Sequence, residues 1–304
     1  MSDAVGPPLV VLAAGLARRY GGCKPLAPIG PRGEAVIDLL SSDALDAGFG
    51  RIVLVLHPET GPAVRYHVER VWPGTVEVSF VTQPAPLGTV HAVLAARDAV
   101  DADQPFGVAN ADDVYGAPAM RVLVESLSSR AEEHVLVGYR LRSTVATGDP
   151  VTRGICDVDG SGHLVALTER RKVARLDEGA RFAAGDGRDP SELDGDAITS
   201  VNLWGFRPAI WAVFDKAMAE SGLDVAAGAS ALEAPKAEVL LPEVVARAVT
   251  GHEGLPVRVL TTESKLVGVT HAADLPVVTA ELARQVASGV RPPATFERSR
   301  PARA

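Results

Sequence analysis

Cations and glycines are concentrated directly after the first apolar run of the chain. Residues 10–30 read VVLAAGLARRYGGCKPLAPIG, and Arg18, Arg19 and Lys24 follow Gly15 within ten residues. A glycine-rich turn after a strand can direct its backbone N–H groups at a phosphate, because no Cβ stands in the way. The stretch therefore predicts a binding loop for an anionic substrate.

Two well-defined nucleotide-binding patterns do not match this loop. The pattern GxGxxG needs glycine at position 17, where the chain has Ala17. The pattern GxxxxGK[ST] needs Ser or Thr after the lysine, where the chain has Pro25. The loop is therefore neither a dinucleotide-binding turn nor a P-loop.

Strand and helix patterns alternate through the part of the chain that carries this loop. Strands are predicted over 9–14, 51–56, 76–82 and 105–110, and helices over 34–48, 59–71 and 88–100. Strict alternation implies a parallel sheet covered on both faces, with ligands outside the carboxyl ends of its strands. The loop 15–25 and the stretches 83–89 and 110–113 each follow such a strand, so we expect them to converge at one edge.

The second half shows a less regular pattern, richer in strands. Strands are predicted over 134–139, 154–158, 163–168 and 198–206, with a hairpin turn at 158–163, and helices over 208–221, 242–251 and 275–288. Residues 175–197 are predicted to form a long exposed insertion. Residues 290–304, rich in arginine and proline, are predicted to be a loose tail.

Composition excludes several classes of protein. The 304 residues carry a net charge of −8, which argues against a nucleic-acid-binding protein. Two distant cysteines and no HxxxH or HExxH spacing leave zinc and disulfide frameworks unsupported. No basic leader and no apolar stretch of about 18 residues is present, so we expect a cytoplasmic protein without membrane association.

The loop LAAGLARRYGGCKPL resembles the LAAG-x-G-x-R…KPL signature of the nucleotidyltransferases that join a sugar 1-phosphate to a nucleoside triphosphate. Weaker matches follow in the family's order: QPAPLGTVHAV (83–93), NADDVYG (110–116), LTERRK (167–172) and SVNLWGF (200–206). Ala17 replaces the usual glycine, which affects the conformation expected for the loop.

The resemblance implies a fold and a domain organisation. The fold would be a three-layer α/β/α sandwich of the glycosyltransferase-A type, with a Rossmann-like, mostly parallel central sheet and a smaller β-rich sugar-binding part. Residues 1–289 would form one domain, with a nucleotide-binding half over 1–130 and a sugar-phosphate-binding half over 131–289. No hexapeptide repeat follows, so no acetyltransferase activity is expected.

The implied reaction is attack of a sugar phosphate on the α-phosphorus of the triphosphate, with release of pyrophosphate. The attacking phosphate is largely a dianion at pH 7, so catalysis should rest on positioning and charge neutralisation rather than on a general base. The resemblance assigns Arg19 to the triphosphate and leaving pyrophosphate, and Lys24 to the phosphates at the reaction centre. Arg18 has no assigned role and is expected at the surface.

The resemblance also implies Mg²⁺. Asp112 matches the family's magnesium ligand, with Asp113 as the second choice, and carboxylate oxygen suits this hard cation. The alternative for this pair is a polar turn or helix cap. A second metal aspartate is absent near Gly268, and Asp274 is the nearest candidate, with a helix N-cap as its alternative role.

The remaining assignments concern the two substrates. The nucleotide is expected to contact Leu12, Ala13, Ala14, Gly15, Ala17, Gln83, Pro84, Gly88, Thr89 and Asp113. The likeness of LGTVHAV to uridyltransferases slightly favours UTP, with GTP, ATP, dTTP and CTP still open. The sugar phosphate is expected to contact Lys24, Glu169, Arg170 and Asn202, where TERRK departs from the family's V-E-K-P.

Two other functions remain open from the sequence. A glycosyltransferase of the A type would share the fold and read NADDVYG as a variant of its DxD motif, although it would not need the LAAG…KPL loop. A regulatory protein that only binds nucleotide sugars would not need Arg19, Lys24 and Asp112 together. Assembly into a homo-oligomer is also expected from the family.

Overall fold

Alternating strands and helices build the first half of the chain. The computed structural model describes residues 6–15, 22–101, 103–145, 150–176, 181–223, 238–251, 254–268 and 274–297. The first elements are β1 (Pro8–Ala13), α1 (Val36–Ala47), β2 (Arg51–Leu56), α2 (Gly61–Val71), β3 (Val78–Thr82), α3 (Thr89–Ala95), β4 (Phe106–Asn110), β5 (Asp113–Val114) and α4 (Ala117–Leu127). Each predicted strand and helix of this half is present, and α1 ends at Gly48 in the left-handed conformation.

Strands dominate the middle of the second half, and helices follow them. The elements are β6 (His134–Arg140), β7 (Val151–Val158), β8 (Leu164–Arg175), β9 (Arg181–Ala184), β10 (Glu192–Asp194), β11 (Ile198–Ser200), β12 (Trp204–Phe206), α5 (Ile210–Ser221), α6 (Leu241–Thr250), β13 (Val257–Thr262), β14 (Val267–Gly268) and α7 (Leu275–Ala287). Short 3₁₀ turns occur at Lys24–Leu26, Arg97–Ala99 and Leu141–Ser143.

One sheet runs through both halves. Across the described residues it has twelve strands in the order β10-β9-β8-β7-β11-β6-β12-β4-β1-β2-β3, with β13 parallel to β6. Strands β1 to β4 pair in parallel, whereas β6 to β12 pair antiparallel. The fold is therefore the expected Rossmann-like α/β sandwich, and its parallel pairs lie in the first half of the chain except for β13 with β6.

Helices cover both faces of the sheet. Leu9 and Val11 of β1 pack with α1, α2 and α4, whereas Val10 packs with α3, α5 and α6. This alternation follows from the period of two in a strand buried on both sides. Within the described part of the chain, no helix is both long and apolar enough to cross a membrane.

The structure differs from the expected insertion over 175–197. Strands β9 and β10 extend the sheet there, and Phe182 and Leu193 bury their side chains against Leu141 and Val173. Two apolar residues separated by many polar ones carry too weak a pattern for a strand prediction. The long polar region is in fact the sheet's outer hairpin.

The predicted loose tail is wrong for residues 290–297. Arg291 forms a two-pronged ion pair with Asp43 of α1, and the Phe296 ring packs 5.1 Å from Trp72. The backbone N–H of Phe296 also donates to Ser42 Oγ at 2.8 Å. Residues 298–304 lie outside the described residues.

Candidate functional site

The loop after β1 and the turn after β4 meet at an ion pair. Lys24 Nζ lies 2.6 Å from Asp112 Oδ2, although 88 residues separate them in the chain. The meeting follows from topology, because β1 and β4 are adjacent parallel strands whose carboxyl ends share one edge, with Leu12 opposite Asn110. The predicted convergence of these two stretches is therefore observed.

The structure describes some of the other loop residues expected at the nucleotide. Leu12 and Ala13 end β1, Ala14 is buried, and Gly15 is exposed with open space where a Cβ would stand. Ala17 and Arg19 lie outside the described residues, so their assignments stay predictions. The 3₁₀ turn Lys24–Leu26 brings Lys24 back to the end of the sheet.

The second aspartate, Asp113, is partly buried. Burial and the neighbouring Asp112 carboxylate raise the pKa of Asp113 to about 7, which the charges of Arg153 and Lys24 oppose. Asp113 lies opposite Gly268 in the β5–β14 ladder, and a Cβ on Gly268 would overlap Asp113 Oδ1. The absence of a side chain at position 268 thus leaves room for the Asp113 carboxylate.

The aspartate pair is the oxygen-rich part of the site that could hold a metal. Asp112 and Asp113 supply two carboxylates, the number that Mg²⁺ takes from a protein, and a cation would relieve their repulsion. Asp274 lies directly before α7, and the structure does not group it with this pair. No three His, Cys, Asp or Glu side chains of the described ranges lie close enough together to hold a metal ion.

A cavity of about 280 Å³ opens beside Asp113. Its wall comes from the end of β4, from β7, β8, the β11–β12 connection, the start of α6 and the segment before β14. The residues that form it are Asn110, Asp113, Thr152, Arg153, Gly154, Leu167, Glu169, Ser200, Val201, Asn202, Pro242, Glu243 and Leu266. Glu169 and Asn202, both expected at the sugar phosphate, lie in this wall.

Asn202 owes its place to a break in the predicted strand 198–206. The residue adopts φ +60°, a left-handed conformation that Asn tolerates, and separates β11 from β12. Its Oδ1 accepts a hydrogen bond from Trp204 Nε1 at 3.2 Å, which anchors the side chain at the cavity.

Arg170 does not line the cavity, contrary to the expectation for it. Its guanidinium is buried in a bidentate pair with Asp186, at 2.8 and 3.0 Å, and donates to Arg188 O at 2.8 Å. Successive residues of a strand point to opposite faces, so the placement of Glu169 in the cavity directs Arg170 away from it. The structure therefore gives Arg170 a role in joining β8 to the connection between β9 and β10.

The stretch expected to contact the base is held to the start of α6. Thr89 Oγ1 accepts from Leu241 N at 2.8 Å, so its hydroxyl caps the chain rather than facing an open site. Gly88 has φ +100°, and a Cβ there would lie 2.6 Å from Val239 N. Gln83 Nε2 donates to Gly88 O at 3.0 Å, while Pro84 is exposed.

Two charged residues of the cavity were not predicted from the sequence. Arg153 in β7 donates from Nη2 to Thr144 O at 2.6 Å and from Nη1 to Thr152 O at 2.8 Å. Glu243 lies in the first turn of α6, after the expected Pro242. A lone arginine in an irregular strand gives no pattern, whereas the helix start at Pro242 could have directed attention to Glu243.

Comparison with known proteins identifies the fold and the family of the chain. The structure is similar to that of the inositol-1-phosphate CTP transferase from T. maritima, with a TM-score of 0.66 and 15% identity, over 95% of this chain and 99% of that one. No curated protein matches the chain in sequence. The profile of the MobA-like NTP transferase domain matches residues 9–184, which include the Lys24–Asp112 pair and Glu169. With more than half of its length matched, the chain belongs to the family of MobA-like NTP transferase domains and is a nucleotidyltransferase.

Proposed function

We propose that the protein transfers a nucleotidyl group from a nucleoside triphosphate to a sugar 1-phosphate, in a Mg²⁺-dependent reaction that releases pyrophosphate. The observation that carries the proposal is the Lys24–Asp112 contact next to Asp113, which lines the cavity together with Glu169 and Asn202. A cation and carboxylates for the triphosphate thus lie next to a cavity that offers several polar side chains to the acceptor.

The cavity has the size and chemistry of a site for one polyhydroxylated ring. Glu169, Glu243 and Asn202 offer oxygen acceptors that suit hydroxyl donors, and Ser200 can donate or accept. Such a set specifies the acceptor by hydrogen bonds, which discriminate more sharply than apolar contacts. The acceptor's phosphate would then approach the aspartate pair from the cavity side.

The chemical step needs little proton transfer. An oxygen of the acceptor's phosphate forms a bond to the α-phosphorus, and the bond from that phosphorus to the bridging oxygen of pyrophosphate breaks. Lys24 neutralises Asp112 and keeps further N–H donors for a phosphate oxygen, because an ammonium has three. Mg²⁺ bound at Asp112 and Asp113 would supply charge neutralisation for the triphosphate.

For the nucleobase of the triphosphate, the proposal covers five candidates. The LGTVHAV stretch favours UTP slightly, and the similar structure from T. maritima belongs to a transferase that uses CTP. GTP, ATP and dTTP are kept in the test. A homo-oligomer, a cytoplasmic location and a single domain over residues 1–289 stay predictions.

The test measures pyrophosphate release from each of the five triphosphates with glucose 1-phosphate, N-acetylglucosamine 1-phosphate, mannose 1-phosphate and inositol 1-phosphate. We expect release with at least one pair, dependent on Mg²⁺ and abolished by a chelator. Asp112→Asn should lower kcat at least about 100-fold, the usual effect of removing a charge-stabilising group. Asp103→Asn, in the exposed loop before β4, is the matched control and should behave like wild type.

Two results would contradict the proposal. If no pair yields pyrophosphate while a nucleotide sugar yields a nucleoside diphosphate, the protein is a sugar transferase. If Asp112→Asn retains full Mg²⁺-dependent turnover, the aspartate pair does not hold the metal.

A further inference from the structure

The wall of the acceptor cavity carries an unbalanced set of charges. Asp113, Glu169 and Glu243 contribute carboxyl groups, and Arg153 is the one cation among the described residues that line it. A phosphorylated acceptor must bring its negative charge into this wall. Among the described side chains of the wall, Arg153 is the one whose positive charge would attract the phosphate.

We infer that Arg153 binds the phosphate of the acceptor. The inference rests on the proposed function. Arg153 pairs with Arg170 in the β7–β8 ladder beside a register shift between Val151 and Arg153, and Arg153 lines the cavity. Arg170 itself is held by Asp186 and Arg188 O and does not line the cavity.

The guanidinium of Arg153 is held in one orientation. Thr144 O and Thr152 O accept one N–H from each terminal nitrogen, and Nε is buried with no partner among the described residues. Each terminal nitrogen carries two N–H groups, so one donor on each remains. A planar fork fixed in this way suits two oxygens of a phosphate better than a lysine ammonium would.

The position of Arg153 relative to the aspartate pair fits the same role. Arg153 and Asp113 both line the cavity, and Asp113 directly follows Asp112, the partner of Lys24. An acceptor phosphate on Arg153 would therefore lie between the cavity and the loop expected to hold the triphosphate. Positioning the attacking oxygen there is what the transfer requires.

The test compares Arg153→Gln and Arg153→Lys with Arg142→Gln. Arg142 is the control because its half-exposed side chain pairs with Asp196 and does not line the cavity. Calorimetric titration without nucleotide uses glucose 1-phosphate, inositol 1-phosphate, glucose and inositol as probes. Thermal unfolding of each variant identifies those that remain folded.

We expect wild type to bind at least one phosphorylated probe more tightly than its neutral parent. Arg153→Gln should weaken that binding about 10- to 100-fold, the effect of losing charge-assisted hydrogen bonds, and leave the parent unchanged. The affinity of Arg153→Lys for the phosphorylated probe should lie between those of wild type and Arg153→Gln, because lysine keeps the charge but lacks the planar guanidinium. If Arg153→Gln unfolds, Arg153→Lys serves as the test. An affinity of Arg153→Lys for the phosphorylated probe equal to that of wild type would overturn the inference.

Failure of the inference differs from failure of the proposed function. If phosphate preference depends on Arg153 but no triphosphate yields pyrophosphate, the proposed function fails and the anion site stands. If pyrophosphate is released and Arg153→Gln leaves the KM for the acceptor within about threefold of wild type, the inference is overturned. Equal binding of phosphorylated and neutral probes by wild type also overturns it.

Discussion

The ion pair between Arg291 and Asp43 should make the last described segment essential for stability. Both Arg291 terminal nitrogens lie 2.7 Å from an Asp43 oxygen, and the side chains are only 6% and 3% exposed. In Arg291→Gln the carboxylate stays buried in α1 without its cation. Breaking one side of a buried pair costs about 3–5 kcal/mol, a large fraction of the free energy of unfolding of a typical domain.

The loss should depend on pH in a defined direction. Burial raises the pKa of Asp43 above its usual value while Arg291 lowers it, so removing Arg291 raises the pKa further. A carboxyl whose folded-state pKa is raised binds its proton more tightly when folded. The penalty is therefore small below the unfolded-state pKa and grows as pH rises through the folded-state value.

Urea unfolding at pH 4 and pH 8 measures this effect. Arg291→Gln should lose most stability at pH 8, and adding Asp43→Asn should recover part of it, because no charge then remains buried. Arg284→Gln, which breaks a half-exposed pair with Glu281 on α7, should unfold at the wild-type urea concentration. A loss below about 1 kcal/mol at pH 8, or equal losses at both pH values, would refute the reasoning.

Three further predictions concern the sheet and the site. His134 accepts a backbone N–H at Nδ1, and burial lowers its pKa to about 4 from the usual 6.5. Stability should thus fall by about 3 kcal/mol as pH drops from 6.5 to 4, and urea unfolding of His134→Gln should not show this fall. Arg170→Gln should lower the unfolding temperature without changing the KM for the acceptor. Glu169→Gln should raise that KM about tenfold. If instead Arg170→Gln raises the KM and Glu169→Gln does not, Arg170 contacts the acceptor. Gly88→Ala should raise the KM for the triphosphate, because alanine at this positive φ is strained by about 2 kcal/mol. Gly74→Ala should leave that KM unchanged, because a Cβ at Gly74 would meet open space.

The convergence of loops at the sheet edge could be predicted because it follows from topology. Lys24 and Asp112 come together since their strands are parallel neighbours, and each strand was visible as an apolar run. Asn202 could also be placed, because a polar residue inside an apolar strand must face a partner or a site.

What could not be predicted depends on contacts between distant residues. The match at Arg170 gave its position in the family pattern, but Asp186, which holds its side chain, lies 16 residues further along the chain, where no pattern indicates the pairing. Arg291 likewise looked like part of a solvated basic tail until Asp43 of α1 was known to face it. Residue type alone does not distinguish a substrate-binding cation from one paired within the protein.

The parallel pairing of β13 with β6 has a consequence for synthesis of the chain. Strand β6 is complete by residue 140, but the strand that covers one of its edges begins only at Val257. A nascent chain therefore exposes a strand rich in valine while more than a hundred further residues are translated. Unpaired apolar edges of this kind favour association between chains and slow folding, so we expect the ribosome-bound protein to need chaperone protection until its last strands emerge.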